Sequence, residues 1–299
     1  MSLFQRLSRA IDTLSHVHLD ERSQYGAFGE HYAAQVITKK EGTFWIANPI
    51  IPHPNKPGFT RESDFLVYTQ GNVFCIEIKH YKGKIFPKDD STIIQEKMGN
   101  YGEGIFTNEH PNPLKKTKNF IYHLKNYVGQ IEPRFQRLHI YAVAAFSEEA
   151  DISAIHSFDD GMIYISELQR FFEHRRNPQF AQRPSPWIMN AMRRIPTWDL
   201  IQTTDNEWIN GFFMTNELVY KGTDHRMHSL PYAKINSVSW QRKGLFSAYD
   251  EMTISFTDGK QEKLNSVNGS IWLQRIGEKK YFKLRNVNKL IVGVANKFI

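Results

Sequence analysis

Three residues within a short stretch of the chain have the types and spacing for phosphate chemistry: Asp64, Glu77 and Lys79. Two β-rich runs, 65–68 and 73–78, flank Thr69-Gln70-Gly71-Asn72. That pattern predicts a β-hairpin. In an antiparallel hairpin the start of one strand lies beside the end of the next, which brings Asp64 next to Glu77. Side chains alternate along a strand, so Glu77 and Lys79 share one face and Ile78 points to the other. Paired carboxylates repel unless a cation or proton joins them. Mg²⁺, with Mn²⁺ as a substitute, suits two carboxylates (Asp64 and Glu77) plus the backbone carbonyl of Ile78, because it prefers oxygen and keeps several waters. Lys79 then orients a water or stabilises charge on a phosphate. The same residues also fit a plain alternative, a sheet edge carrying a salt bridge.

These residues must be held by a sheet and its covering helices. The periodicity predicts an amphipathic N-terminal helix within 1–24, with Leu3, Phe4, Leu7, Ile11 and Leu14 at helical spacing, and a second helix over 25–38. Residues 44–51 read as one strand, ended by a Pro-rich loop. Residues 87–111 show no sustained period and read as a long irregular loop, a kind that usually carries function. Asn112-Pro113 caps a helix to about 128, with Lys115, Lys116 and Lys118 in its first turns, a natural grip for phosphate. Residues 138–146 form an apolar strand; 162–165 and 167–174 form a short strand and a short helix.

The order of these pieces resembles the PD-(D/E)XK nuclease core and, more narrowly, the nuclease-related domain family (NERD). The matching pieces are Gly29-Glu30, Ser63-Asp64-Phe65-Leu66-Val67, Ile76-Glu77-Ile78-Lys79, Tyr81-Lys82-Gly83-Lys84-Ile85 and Asn112-Pro113-Leu114, within residues 25–175. The resemblance implies a restriction-endonuclease-like α/β fold: a mixed central sheet flanked by helices. It implies Glu30, Asp64, Glu77 and Lys79 as catalytic residues, and Lys82, Lys84, Lys115, Lys116 and Lys118 as nucleic-acid contacts. Lys116 stands where the family usually has Gln, and residues 87–111 exceed the usual connection.

The whole chain is 299 residues with a formal net charge of +7 and 40% hydrophobic residues, enough for a sizeable core. Residues 207–299 carry 14 Lys and Arg against 8 Asp and Glu, a net of +6, so the excess lies outside the nuclease-like part. Cys75 is the single cysteine, which excludes an internal disulfide and Cys-based zinc sites. No apolar run reaches the length of a membrane span and no signal segment is evident, so a cytoplasmic location is expected. No phosphate-binding Gly-rich loop or dinucleotide fingerprint is present.

Residues 176–206 read as a Pro-rich connector with a helix over 187–194. From 207 to 299 the texture is of short alternating strands (211–220, 235–240, 251–257 and 261–264), then helical spacing over 282–298. This resembles a bacterial pleckstrin-homology-like domain, a small antiparallel β-domain closed by a helix. The expectation is therefore a Mg²⁺-dependent nuclease acting on DNA, with RNA as an open alternative, in DNA processing or defence against foreign DNA. Residues 207–299 would extend the nucleic-acid surface or dock a protein partner. The competing expectation is a catalytically silent nucleic-acid-binding or scaffold protein.

Overall fold

The computed structural model describes residues 21–39, 42–53, 55, 60–98, 104–181, 185–197, 199–211, 217–231, 234–242, 249–256, 258–267, 272–274, 281–283 and 287–293. The helix expected before residue 21 lies outside them. The described residues fall into two compact units, one from 19–49 and 62–193 and one from 50–61 and 194–299.

The first unit is built on a mixed five-stranded sheet in the order β1-β4-β5-β9-β11. Its strands are β1 (Phe44–Ala47), β4 (Phe65–Thr69), β5 (Asn72–Lys79), β9 (Ile140–Phe146) and β11 (Met162–Tyr164). The hairpin β4–β5 is antiparallel, and β5, β9 and β11 run parallel. Its turn places Gln70 and Gly71 at φ 53° and 80°, the left-handed pair that suits the twist of a tight hairpin. Every residue of β4 is buried, as expected of an interior strand covered on both faces. On one face of β5, Phe74 meets Phe171 and Phe172 of helix α4 (Leu168–His174) at 6.0 and 4.7 Å between ring centroids. Helix α1 (Glu21–Thr38) lies against β5, and α2 (Pro113–Gly129) lies against β5 and β9. Asn112 caps α2 by accepting from the N–H groups of Leu114 and Lys115. A short helix, α3 (Pro133–Gln136), follows α2, and α5 (Pro186–Met192) ends the unit.

Two expectations need correction here. The strand read over 44–51 is two strands, β1 and β2 (Ile50–Pro52), and β2 pairs with β3 (Thr60–Glu62). Asn48 breaks it, because its φ of 48° leaves the β region and Pro49 has no N–H to donate. The irregular loop read over 87–111 is instead an antiparallel ribbon of β6 (Gly83–Asp89), β7 (Thr92–Met98) and β8 (Ile105–Pro111). β10 (Ala150–Asp151) adds to β6 in parallel. Ile85 and Ile93 are buried with Leu114, Ala144 and Phe146, which anchors one end of the ribbon on the central sheet. The far end is exposed on both faces and mixes polar with apolar side chains, so no period survives in the sequence.

The second unit holds a six-stranded antiparallel sheet in the order β13-β12-β21-β16-β17-β18. Its strands are β12 (Asp199–Thr203), β13 (Trp208–Gly211), β16 (Ile235–Arg242), β17 (Tyr249–Phe256), β18 (Gln261–Val267) and β21 (Val287–Ile291). Two small pairs accompany it, β14 (Glu217–Lys221) with β15 (Met227–Pro231) and β19 (Trp272–Gln274) with β20 (Tyr281–Lys283). Residues 199–203, read as the end of a connector, are thus a strand of this sheet. Within the closing helix expected over 282–298, the described residues form the end of β20 and all of β21; residues 284–286 and 294–298 lie outside the described ones. β21 is hydrogen-bonded on both sides, to β12 and β16. Leu290 and Val292 are buried and Ile291 between them is not, so the strand period wins over the helical spacing. Among the described residues no helix is long and apolar enough to cross a membrane.

Candidate active site

The site lies at the closed-in end of the β4–β5 pair. Ser63 and Asp64 lead into β4, and Ser63 Oγ donates to the carbonyl of Ile76 at 3.1 Å, which pins the register beside Glu77. Cys75 Sγ donates to Ser63 Oγ at 3.3 Å, and burial pushes its thiol up to about 12, so it is an inert core residue. The N–H of Ile78 donates to Asp64 Oδ2 at 2.5 Å. Asp64 and Glu77 are thereby brought together, as the hairpin geometry predicts.

Glu77 is 1% exposed, the most deeply buried acid of the group. Its Oε1 accepts from two ammonium groups, Lys79 Nζ and Lys116 Nζ, each at 2.6 Å. Its Oε2 is buried with no hydrogen-bond partner. A buried carboxylate is tolerated when opposite charge pairs with it, and here the two lysines compensate Glu77 on one oxygen while the other stays open. Burial tends to push the Lys79 ammonium down, but the carboxylates of Glu77 and Asp64 outweigh it and hold the group above its ordinary value. Lys79 is therefore a proton-bearing donor at neutral pH.

Glu30 comes from α1, whose close approach to β5 depends on Gly29: a Cβ there would meet His80 Cβ at 3.1 Å and Ile78 at 3.4 Å. Burial pushes the Glu30 carboxyl up to about 7, against a hydrogen bond from Asn48 and with help from the charges of Glu62 and Glu77. Burial also raises Asp64 well above the usual carboxylate range, with Glu77 and Glu30 adding to it. Three acids therefore crowd a site containing two ammonium groups, and burial and mutual repulsion resist full ionisation of Glu30 and Asp64.

Two contributors were not legible in the sequence. Asn48 hydrogen-bonds Glu30 through its side chain, and its N–H donates to the Asp64 carbonyl at 2.8 Å. The Asn-Pro pair ending β1 is the only signal that could have pointed to it. Tyr81 stacks on His110 of β8 at 4.6 Å between centroids, and both its neighbouring charges, Lys79 and Glu77, belong to the site.

The lysines divide. Lys116, expected as a phosphate contact, sits on Glu77, with its side chain 47% exposed. Lys115 and Lys118 are exposed on α2. Lys82 pairs with Glu149 at 3.0 Å, and Lys84 is exposed beside Asp151.

Two carboxylates with oxygen donors suit a hard divalent cation, and Glu77 keeps one oxygen without a hydrogen-bond partner. Among the described residues no group of three or more His, Cys, Asp and Glu side chains could hold a metal ion, so a cation here would need oxygens beyond the side chains of Asp64 and Glu77.

Residues 25–147 match the sequence model of the nuclease-related domain, which supports a nuclease-type activity for this part of the chain. An uncharacterized protein of Bacillus anthracis is 23% identical over 178 residues, covering 58% of this chain and 78% of that protein.

Proposed function

We propose that the chain is a Mg²⁺-dependent nuclease of the PD-(D/E)XK type that hydrolyses phosphodiester bonds in DNA. The observation that carries this reading is Glu77: a buried carboxylate clamped by two lysines on one oxygen and open on the other, beside Asp64, in a segment matching a nuclease-related domain. Asp64, Glu77 and the Ile78 carbonyl would hold the cation, which when bound supplies Lewis-acid stabilisation of phosphate charge and a more acidic water. The chain's own residues do the rest. Lys79, kept protonated by its carboxylate neighbours, donates to the attacking water or to a phosphate oxygen rather than accepting a proton. Glu30, tied to Asn48, supports the site from α1. Lys115 and Lys118 stand at the N-terminal end of α2, where backbone N–H groups and the helix dipole also favour phosphate.

The second unit, with its small β-module character and the +6 charge of residues 207–299, is proposed to extend the DNA surface or dock a partner. Its resemblance to pleckstrin-homology-like modules supports the docking role. DNA processing or defence against foreign DNA in the cytoplasm suits such an enzyme.

The test is direct. Purified full-length protein is incubated with single- and double-stranded DNA and with RNA, in Mg²⁺, in Mn²⁺ and in EDTA. Cleavage of DNA that EDTA stops is expected. Absence of cleavage on every substrate, together with no detectable metal binding, would favour the silent scaffold instead.

A further inference from the structure

The ribbon of β6, β7 and β8 starts at the site and runs away from it. At the near end Gln95 Nε2 donates to the Lys82 carbonyl at 2.8 Å, and His110 Nε2 donates to Gln95 Oε1 at 3.0 Å. His110 in turn stacks on Tyr81. Gln95 and His110 therefore lie on the ribbon face that turns toward the catalytic hairpin. Strand alternation and the register place Lys97, Asn108 and Phe106 on the same face, with Lys97 directly opposite Phe106. Burial, together with the nearby cations Lys79 and Lys97, holds the His110 ring below its ordinary value.

Among the described residues, the far end of this face is open. Lys97, Phe106 and Asn108 are exposed, with Phe106 at 47%. Met98 and Ile105, on the other face of the same end, are 79% and 65% exposed. Lys97 forms no ion pair among the described residues. The Lys97–Phe106 pair stands four residues along β7 from the Ile93–His110 pair, a distance of about 13 Å at strand rise.

We infer that this face is a track for single-stranded DNA leading into the hairpin site, with Phe106 stacking on a base, and Lys97 and Asn108 contacting the backbone. The inference rests on the nuclease reading and names the strandedness of its substrate. An exposed aromatic ring beside an unpaired cation suits an unpaired base followed by its phosphate, whereas bases within a duplex already stack on one another. The near end of the face is continuous with Tyr81 and Lys79, so a strand lying on it is delivered to the reacting groups.

The experiment uses the full chain in EDTA, which separates binding from cleavage. Fluorescence anisotropy follows a labelled single-stranded DNA, the same sequence as a duplex, and the same sequence as RNA. Phe106→Ala should weaken single-stranded DNA binding by roughly five- to a hundredfold, the range for one base stacked on an aromatic ring, and leave duplex binding unchanged. Lys97→Ala should weaken it too and make the slope of log K against log salt shallower by about 0.7, one phosphate contact on a single strand. Both positions are exposed, and an unchanged melting temperature confirms that the variants fold. Variants that bind single-stranded DNA like the parent would overturn the track while the cleavage assay leaves the nuclease intact. Equal losses on duplex, or tighter binding of RNA with the same dependence on Phe106, would overturn single-stranded DNA as the occupant. A parent protein that neither binds nor cuts any polynucleotide would remove both readings together.

Discussion

In the β4–β5 hairpin all five residues of β4 are buried, and Glu77 of β5 is a buried acid; in β8 of the neighbouring ribbon, six of seven residues are exposed. Both are antiparallel pairs within one unit, yet they treat polar groups in opposite ways. The hairpin takes charge into the interior, where each ammonium and carboxylate must find a partner or change its protonation. The ribbon keeps most of its polar residues in water and buries only its near end, where Gln95 joins Ile85 and Ile93. The contrast teaches where chemistry and where capture are affordable. Strong fields and fixed geometry come from the dry, over-determined end of the central sheet. An adaptable contact surface comes from strands whose far end is exposed.

The largest expected effect lies on the hairpin side. Lys79→Ala and Asp64→Asn should each lower cleavage by at least about a hundredfold, the scale for losing one group that stabilises transition-state charge, with the fold retained. A gel-based rate assay checks this, with circular dichroism as the control. Next comes the anchored end of the ribbon. Gly83 has φ +83°, and a Cβ there would lie 2.2 Å from the Glu96 carbonyl oxygen. Gly83→Ala should therefore force β6 from β7, and Ile93→Ala should cost about 2–5 kcal/mol in urea unfolding as a buried isoleucine truncated in the core. Phe106→Ala should change stability by less than about 0.5 kcal/mol. Equal losses at Ile93 and Phe106 would break the distinction between anchored and free ends.

A smaller effect is expected from Lys116→Gln, which removes one of the two ammonium groups on Glu77 Oε1. A unit charge a few ångström away is worth several kcal/mol at an intermediate dielectric, and the half-exposed side chain discounts it, so the Mg²⁺ requirement should fall by about tenfold. Titrating cleavage against Mg²⁺ reads this directly.

The smallest expected effect is a pH dependence of the metal-free protein. Glu30 keeps its proton in the folded state up to about 7 but loses it near its ordinary value of 4.5 when unfolded. Between those values the folded state binds more protons, so stability falls as pH rises from 4.5 to 7. Glu30→Gln should flatten that part of the curve in EDTA. Asp89, Asp151 and Asp258, each held below the ordinary value chiefly by hydrogen bonds, act in the opposite sense at lower pH.

Much of the site was legible because its signals are local. Asp64, Glu77 and Lys79 are fixed by one turn and one alternation, and the α2 start by the Asn112-Pro113 pair. What escaped depends on contacts far apart in the chain. Lys116 reaches Glu77 across 39 residues; its place where the resembled family usually has Gln marks it, but nothing local says that it meets Glu77. The ribbon escaped because only Ile85 and Ile93 are apolar side chains buried from its three strands, too few to set a hydrophobic period. β21 escaped because Val287 and Ile291 fit a helix as well as a strand, and only pairing with β12 and β16 decides between them.

The most direct test of the central claim is a calorimetric titration of Mg²⁺ into the metal-free full-length protein and into Asp64→Asn. The account predicts saturable binding to the parent, abolished or strongly weakened in the variant. Binding of equal strength to both, or none to the parent, would contradict a cation held between Asp64 and Glu77.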